Sequence, residues 1–160
     1  MGSVGSGLIL LVLAAVWGGA AQAVCAPDAV ELRGPSGQQR FGVEVADDPA
    51  EQAQGLMFRE KMATSAGMLF VFSKPKRAQF WMKNTLISLD MIFVDAKGVV
   101  TRVHSDAVPG DTTPIDGGEG VAFVLEINGG LSKRMGITVG SEMRHDSVAQ
   151  SGAAWPCDDN

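Results

Sequence analysis

The chain has 160 residues, with 13 Lys and Arg against 18 Asp and Glu, for a formal charge of −5. That length fits one domain of ordinary size. Hydrophobic residues make up 46%, enough to pack a core and too many for a disordered chain. The acidic balance argues against nucleic acid, whose phosphates need a clustered basic surface.

No Lys, Arg, Asp or Glu precedes Asp28. Leu8 to Val16 is a continuous apolar run, and Ala21-Gln22-Ala23 has the A-x-A form that a signal peptidase accepts. A signal peptide over residues 1–23 is therefore expected. It leaves a single domain over 24–160, periplasmic or secreted, with no stable membrane insertion after cleavage. The alternative is an uncleaved anchor, because the uncharged stretch from Met1 to Pro27 is just long enough to span a bilayer. The two cysteines, Cys25 and Cys157, lie at the two ends of the expected mature chain. In an oxidising compartment such a pair forms a disulfide.

The mature chain reads mostly as strands. Val30 to Arg33 alternates, Gly34-Pro35-Ser36-Gly37 turns, and Phe41, Val43 and Val45 alternate again, which predicts a hairpin. Asp48-Pro49-Ala50-Glu51 then starts a helix running to about Met57: Asp48 caps, Pro49 fits the first position and Glu51 reaches back. Gly67 to Phe72 predicts a fully apolar strand and Ser73 to Lys76 a turn. Gln79 to Lys83 and Leu89 to Asp95 predict further strands, and Asp95 to Gly98 a hairpin turn into Val99 to His104. Pro109 to Gly120 predicts a long Gly/Pro loop, a candidate rim. Val121 to Ile127 predicts a strand, and Asn128 to Met135 a short helix, capped by Asn128 and ended by Gly136. Ile137 to Arg144 predicts a last strand around Gly140, and residues 146–160 an irregular tail held by Cys157. The pattern indicates a mainly β fold, a sandwich, jelly-roll-like arrangement or distorted barrel, with one or two short helices, α+β by strict count.

Several segments carry a resemblance. Gly55-Leu56-Met57-Phe58-Arg59, Gly67-Met68-Leu69-Phe70-Val71-Phe72, Phe80-Trp81-Met82-Lys83-Asn84-Thr85 and Leu89 to Asp95 occur in that order. Val124-Leu125-Glu126-Ile127-Asn128-Gly129-Gly130 and Gly136 to Gly140 follow. Over about Phe41 to Arg144 the chain resembles the bacterial and archaeal family known as domain of unknown function 192. The resemblance implies a β-rich fold and, in many members, secretion. It implies no reaction and no catalytic residues.

The residues themselves suggest a site. On a strand, Trp81, Lys83 and Thr85 would share one face, with Asn84 on the other. An aromatic ring beside hydrogen-bonding groups is how a site grips a sugar or a peptide. Arg59 can supply a fork for an anion. The alternative is that Trp81 packs in the core and Asn84-Thr85 form a turn. Asp90 and Glu126 each interrupt an apolar strand. They are either an acid–base pair or structural partners of Arg59 or Lys83. Asp111, Asp116 and Glu119 suggest calcium only weakly, and Gly129-Gly130 can offer N–H groups to an anion.

The leading expectation is a non-catalytic binding domain for a small ligand, glycan or peptide. Its candidate residues are Arg59, Trp81, Lys83, Asn84, Thr85, Asp90 and Glu126. No cofactor, no metal and a monomeric state are expected. The alternatives are a carboxylate-based hydrolase using Asp90 and Glu126, a Cu(I) carrier using the methionines, and a structural or partner-binding protein.

Overall fold

The structure is a computed structural model and describes residues 1, 2 and 25–158. Apart from Met1 and Gly2, the expected signal segment lies outside the described residues. Seven strands form one sheet: β1 (Ala29–Gly34), β2 (Gly37–Ala46), β3 (Ala66–Phe80), β4 (Leu89–Asp95), β5 (Val100–Ala107), β6 (Ile115–Asn128) and β7 (Glu142–Arg144). Two short helices, α1 (Pro49–Gln54) and α2 (Leu131–Met135), flank it. The strand order is β5-β4-β6-β3-β2-β1-β7. Neighbours are antiparallel except β2 and β3, which are parallel and are joined through α1.

The sheet curls until its two edges touch. Val99, just ahead of β5, bridges Glu142 of β7. The Val100 N–H donates to the Ser141 carbonyl at 2.8 Å, and the Met143 N–H to that of Gly98 at 2.7 Å. The result is a curled half-barrel, mainly β with two short helices.

Both faces of the sheet are covered, which explains the near-continuous apolar run of β4. On one face Leu32, Phe41, Leu69, Ile92, Leu125 and Ile127 pack with Leu131 of α2, Ile137 and Val148. On the other, Met68, Phe70, Met91, Phe93 and Val124 pack beneath Leu56 and Met82.

The β1–β2 hairpin forms as expected, and its register places Val30 opposite Phe41. Helix α1 starts as expected: the Asp48 carboxylate accepts from the N–H groups of Ala50 and Glu51, and Glu51 accepts from that of Asp47. It ends at Gln54 rather than near Met57, because Gly55 (φ 50°, ψ −135°) turns the chain away.

Four expectations are corrected. Ser73 to Lys76 is not a turn, since β3 runs on to Phe80 and its pairing with β6 shifts between Val71 and Lys76. That irregularity accommodates Pro75, which has no N–H to give a ladder. The strand expected over Gln79 to Lys83 stops at Phe80, so Trp81, Lys83 and Thr85 lie on a loop instead of alternating on a strand. The Gly/Pro loop is shorter, because β6 begins at Ile115. There Gly117 is required: a Cβ would lie 2.2 Å from the Phe93 ring. Finally, the last strand is confined to Glu142–Arg144.

At α2, Gly136 ends the helix with a left-handed φ of 65°, as expected. Its N-cap is Gly130, not Asn128. The Asn128 amide instead donates to the carbonyls of Met62 and Ala63. The tail is packed. Trp155 is buried, with the guanidinium carbons of Arg33 and Arg144 at 4.8 and 4.2 Å from its ring centroid. Cys25 and Cys157 are joined by a disulfide.

Candidate functional site

The face of β3 and β6 that carries Phe70 and Glu126 is incompletely covered. Between it, α1 and the loop after β3 lies a cleft of about 470 Å³. One wall is α1 with the turn Gly55-Leu56-Met57. It is fixed by Gln52, whose amide donates to the carbonyls of Ala46 at 3.2 Å and Val71 at 2.9 Å. The other wall is aromatic. Phe70 and Phe80 meet edge to face at 5.0 Å, and Phe80 meets Phe93 at 6.0 Å. Phe72 also lines the cleft, with the Lys76 ammonium 3.8 Å from its ring centroid. Arg77 lines the same end and is paired with Asp116 and Glu119.

Trp81 and Thr85 reach the cleft from the loop. Trp81 is half exposed, with the Lys83 ammonium 5.1 Å from its ring centroid. Thr85 is buried, and its hydroxyl donates to the Lys83 carbonyl at 3.3 Å.

Glu126 supplies the acid of the cleft. It is 4% exposed and lines the cavity. Among the described residues no hydrogen bond or ion pair reaches its carboxyl group, whose oxygens open onto the cavity. Burial alone pushes its carboxyl up to about 8. At neutral pH it is therefore mainly protonated, able to donate a hydrogen bond or to ionise toward a cation.

The structure thus gathers Trp81, Thr85 and Glu126, with Lys83 and Asn84 on the adjoining loop. Asn84 takes a left-handed φ of 55° and its carbonyl accepts the N–H of Phe58, itself at φ 65°. That bond, 2.8 Å long, ties the turn after α1 to the loop after β3.

Arg59 and Asp90 lie elsewhere. Arg59 forks onto both carboxylate oxygens of Glu44 on β2, which lowers the pKa of Glu44. Asp90 is on the opposite face of the sheet. In the β4–β6 ladder Asp90 faces Ile127 while Met91 faces Glu126, so the two carboxyls point to different sides. The alternative of an acid–base pair is corrected on this ground. Asp90 has a structural place, accepting the N–H groups of Asp106 and Gly130 on one oxygen and that of Ser132 on the other. The anion that Gly130 greets is the protein's own Asp90. Neither Arg59 nor Lys83 pairs with Asp90 or Glu126.

The methionines divide between settings: Met68, Met82 and Met91 are core, Met143 is core on the other face, and Met57 lines the cleft. Asp116 and Glu119 of the proposed calcium set face Arg77. Among the described residues no three His, Cys, Asp or Glu side chains gather as a metal site.

Sequence reasoning missed Phe70, Phe72, Phe80, Met57 and Lys76 as cleft residues. The first four belong to the segments GMLFVF, FWMKNT and GLMFR that carried the family resemblance. Those segments, with Glu126 from VLEINGG, converge on this one cleft.

A comparison with curated proteins finds no significant match. Several solved chains are similar, two of them as follows. One, a protein of unknown function from Novosphingobium aromaticivorans, is 44% identical with a TM-score of 0.71, over 72% of this chain and 83% of its own. Another, from Sinorhizobium meliloti, whose description suggests a transcription regulator, is 40% identical with a TM-score of 0.73. That match covers 78% of this chain and 97% of its own. The family model DUF192, described as Uncharacterized ACR, matches residues 31–145. The chain belongs to the DUF192 family.

Proposed function

We propose that this protein is an exported, non-catalytic binding domain. It takes a small ligand, glycan or peptide fragment in the cleft between α1, the 81–88 loop and the β3–β6 face. One observation carries this reading: Glu126, a buried carboxyl without a protein partner, opens onto an aromatic-lined cavity. Protein interiors rarely leave such a group unserved, and a ligand is the partner a cavity can supply. Binding is favoured over hydrolysis because the cleft lining holds no second acid beside Glu126.

The test is a screen of short glycans and peptides by NMR, following the indole N–H of Trp81 and the amides of Gly55 and Phe80. Hits are expected to move these signals together, and Trp81→Phe is expected to weaken them with little change in melting temperature. Hits that leave all three signals unmoved would sink the proposal. So would a Trp81→Phe variant that melts lower but binds as before.

A further inference from the structure

We infer that the cleft recognises its ligand through a primary ammonium group, seated on the Glu126 carboxylate with its hydrocarbon neck along the aromatic wall. The inference rests on the binding-cleft reading above and names the chemistry of the ligand. Its first ground is an exception within this fold. The other acids held inside the sheet are served: Asp90 by three backbone N–H groups, Glu31 by Arg40 and Arg144, and Glu142 by Arg33. Glu126 is more buried than Glu31 or Glu142 and has none of these.

The second ground is the wall. An aromatic face is electrostatically negative and attracts ammonium groups. This cleft already holds one, since the Lys76 ammonium sits 3.8 Å from the Phe72 ring centroid. Lys76 itself cannot serve Glu126. Across the β3–β6 ladder Glu126 faces Met68, whereas Lys76 faces Val121. At about 3.3 Å per residue the two sites are roughly 16 Å apart along β6, beyond the reach of a lysine. Arg77 is held by Asp116 and Glu119. Lys76 and Arg77, both from β3, are the charged groups that line the cleft besides Glu126. From α1, its following turn and the 81–88 loop come Gln, Thr and apolar side chains, and Asp90 of β4 faces the other side of the sheet. The charge at the Glu126 end of the cleft is thus its own.

A neutral hydroxyl would accept one hydrogen bond from the protonated acid. An ammonium does more, since it turns the acid into a charge-assisted pair at a position largely withdrawn from solvent. The proton balance is then fixed. Below the range where Glu126 titrates, each ammonium bound releases one proton from Glu126 to solvent. Affinity therefore rises about tenfold per pH unit up to about 8. It levels above that, until the amine itself deprotonates near about 10.

The experiment titrates the intact protein with n-butylammonium, n-butanol and the peptide acetyl-Gly-Lys-Gly-amide at pH 6, 7 and 8. The Glu126 carboxyl carbon and the Trp81 indole are followed by NMR. The two ammonium probes are expected to shift the Glu126 carbon to its ionised position and to bind about tenfold tighter at pH 7 than at pH 6. Butanol is expected to show no such gain. In Glu126→Gln the pH dependence should vanish and ammonium binding should weaken at least tenfold. A peptide that binds more than tenfold tighter than butylammonium supports the inference and identifies a lysyl side chain as the source. Equal affinities support it and identify a free amine. If butanol binds as well as butylammonium, or if Trp81 moves without pH dependence, the ammonium inference is overturned while the cleft reading stands. If no probe moves either signal, the inference is overturned, and the glycan and peptide screen alone decides the cleft.

Discussion

Glu126→Gln is expected to stabilise the protein by an amount that grows with pH. In the fold, burial lifts the Glu126 carboxyl from 4.5 to about 8. Unfolding returns it to its ordinary value. Between these limits the unfolded chain gives up a proton that the folded chain keeps, so stability falls as pH rises through that window. At about 1.4 kcal/mol per pH unit, the acid costs the fold roughly 3 kcal/mol at pH 7 and roughly 5 kcal/mol above pH 8. Gln has nearly the same shape and no charge to lose, so it removes the penalty. The two proteins should be equally stable near pH 4. At pH 7 the variant should melt about 10 °C higher for a domain of this size. The assay is urea unfolding followed by circular dichroism from pH 4 to 9, with the disulfide intact. Subtracting one protein from the other cancels the remaining titrations. A difference that does not change with pH, or a wild type that is the more stable at pH 9, would refute the reasoning.

The two described tryptophans should behave in opposite ways. Trp155→Ala should cost about 3–5 kcal/mol, because that ring is 2% exposed between two guanidinium groups. Trp81→Ala, at a ring 49% exposed, should cost less than about 1 kcal/mol in the same melting experiment. Asp90→Ala should cost about 3–5 kcal/mol by urea unfolding, since it strands three backbone N–H groups at once; a loss under about 1 kcal/mol would contradict that bonding. The Cys25–Cys157 disulfide closes a loop with a sequence separation of 132, and reducing it should lower stability by up to about 5 kcal/mol in the chain-entropy model. Parallel urea curves with and without dithiothreitol measure it.

Much of the fold was legible because local chemistry and tertiary structure agree. Asp48-Pro49 announces α1, Gly136 ends α2, and the alternation of Phe41, Val43 and Val45 marks a strand that lies where expected. The misreadings fall where an irregular strand absorbs residues that usually turn. Ser73 to Lys76 looks like a turn because Pro75 forbids an ordinary ladder, yet the shift in pairing lets β3 pass through it. Gly117 and Gly118 look like loop and are strand, because a neighbouring ring or a left-handed φ demands glycine there.

The site was legible in part, for a reason of register. Sequence shows that Glu126 and Asp90 each interrupt an apolar run. Which of them share a side depends on how β4 and β6 align, and a slip of one residue reverses the answer. Asp90 opposite Ile127 settles it. Arg59 was drawn away by Glu44, a neighbour supplied by a parallel strand pairing that no local pattern announces. The aromatic wall was hidden for the opposite reason. Phe70, Phe72 and Phe80 read as core, and nothing in their spacing tells a ring that closes a core from one that borders a cavity.

The disulfide has a mechanical consequence. Cys25 and Cys157 bring positions 132 apart in sequence to a Cα separation of 5.3 Å. A pull applied to the chain on either side of this pair is carried by the sulfur bridge and never reaches the sheet. In a force spectrometer the chain between the two cysteines should not extend while the bridge is intact. Reduction should expose the strands to load and release up to roughly 450 Å of hidden chain length. The cleft sits on β3 and β6 and the bridge beside β1 and β7, so tension on the chain ends would leave the cleft unstrained.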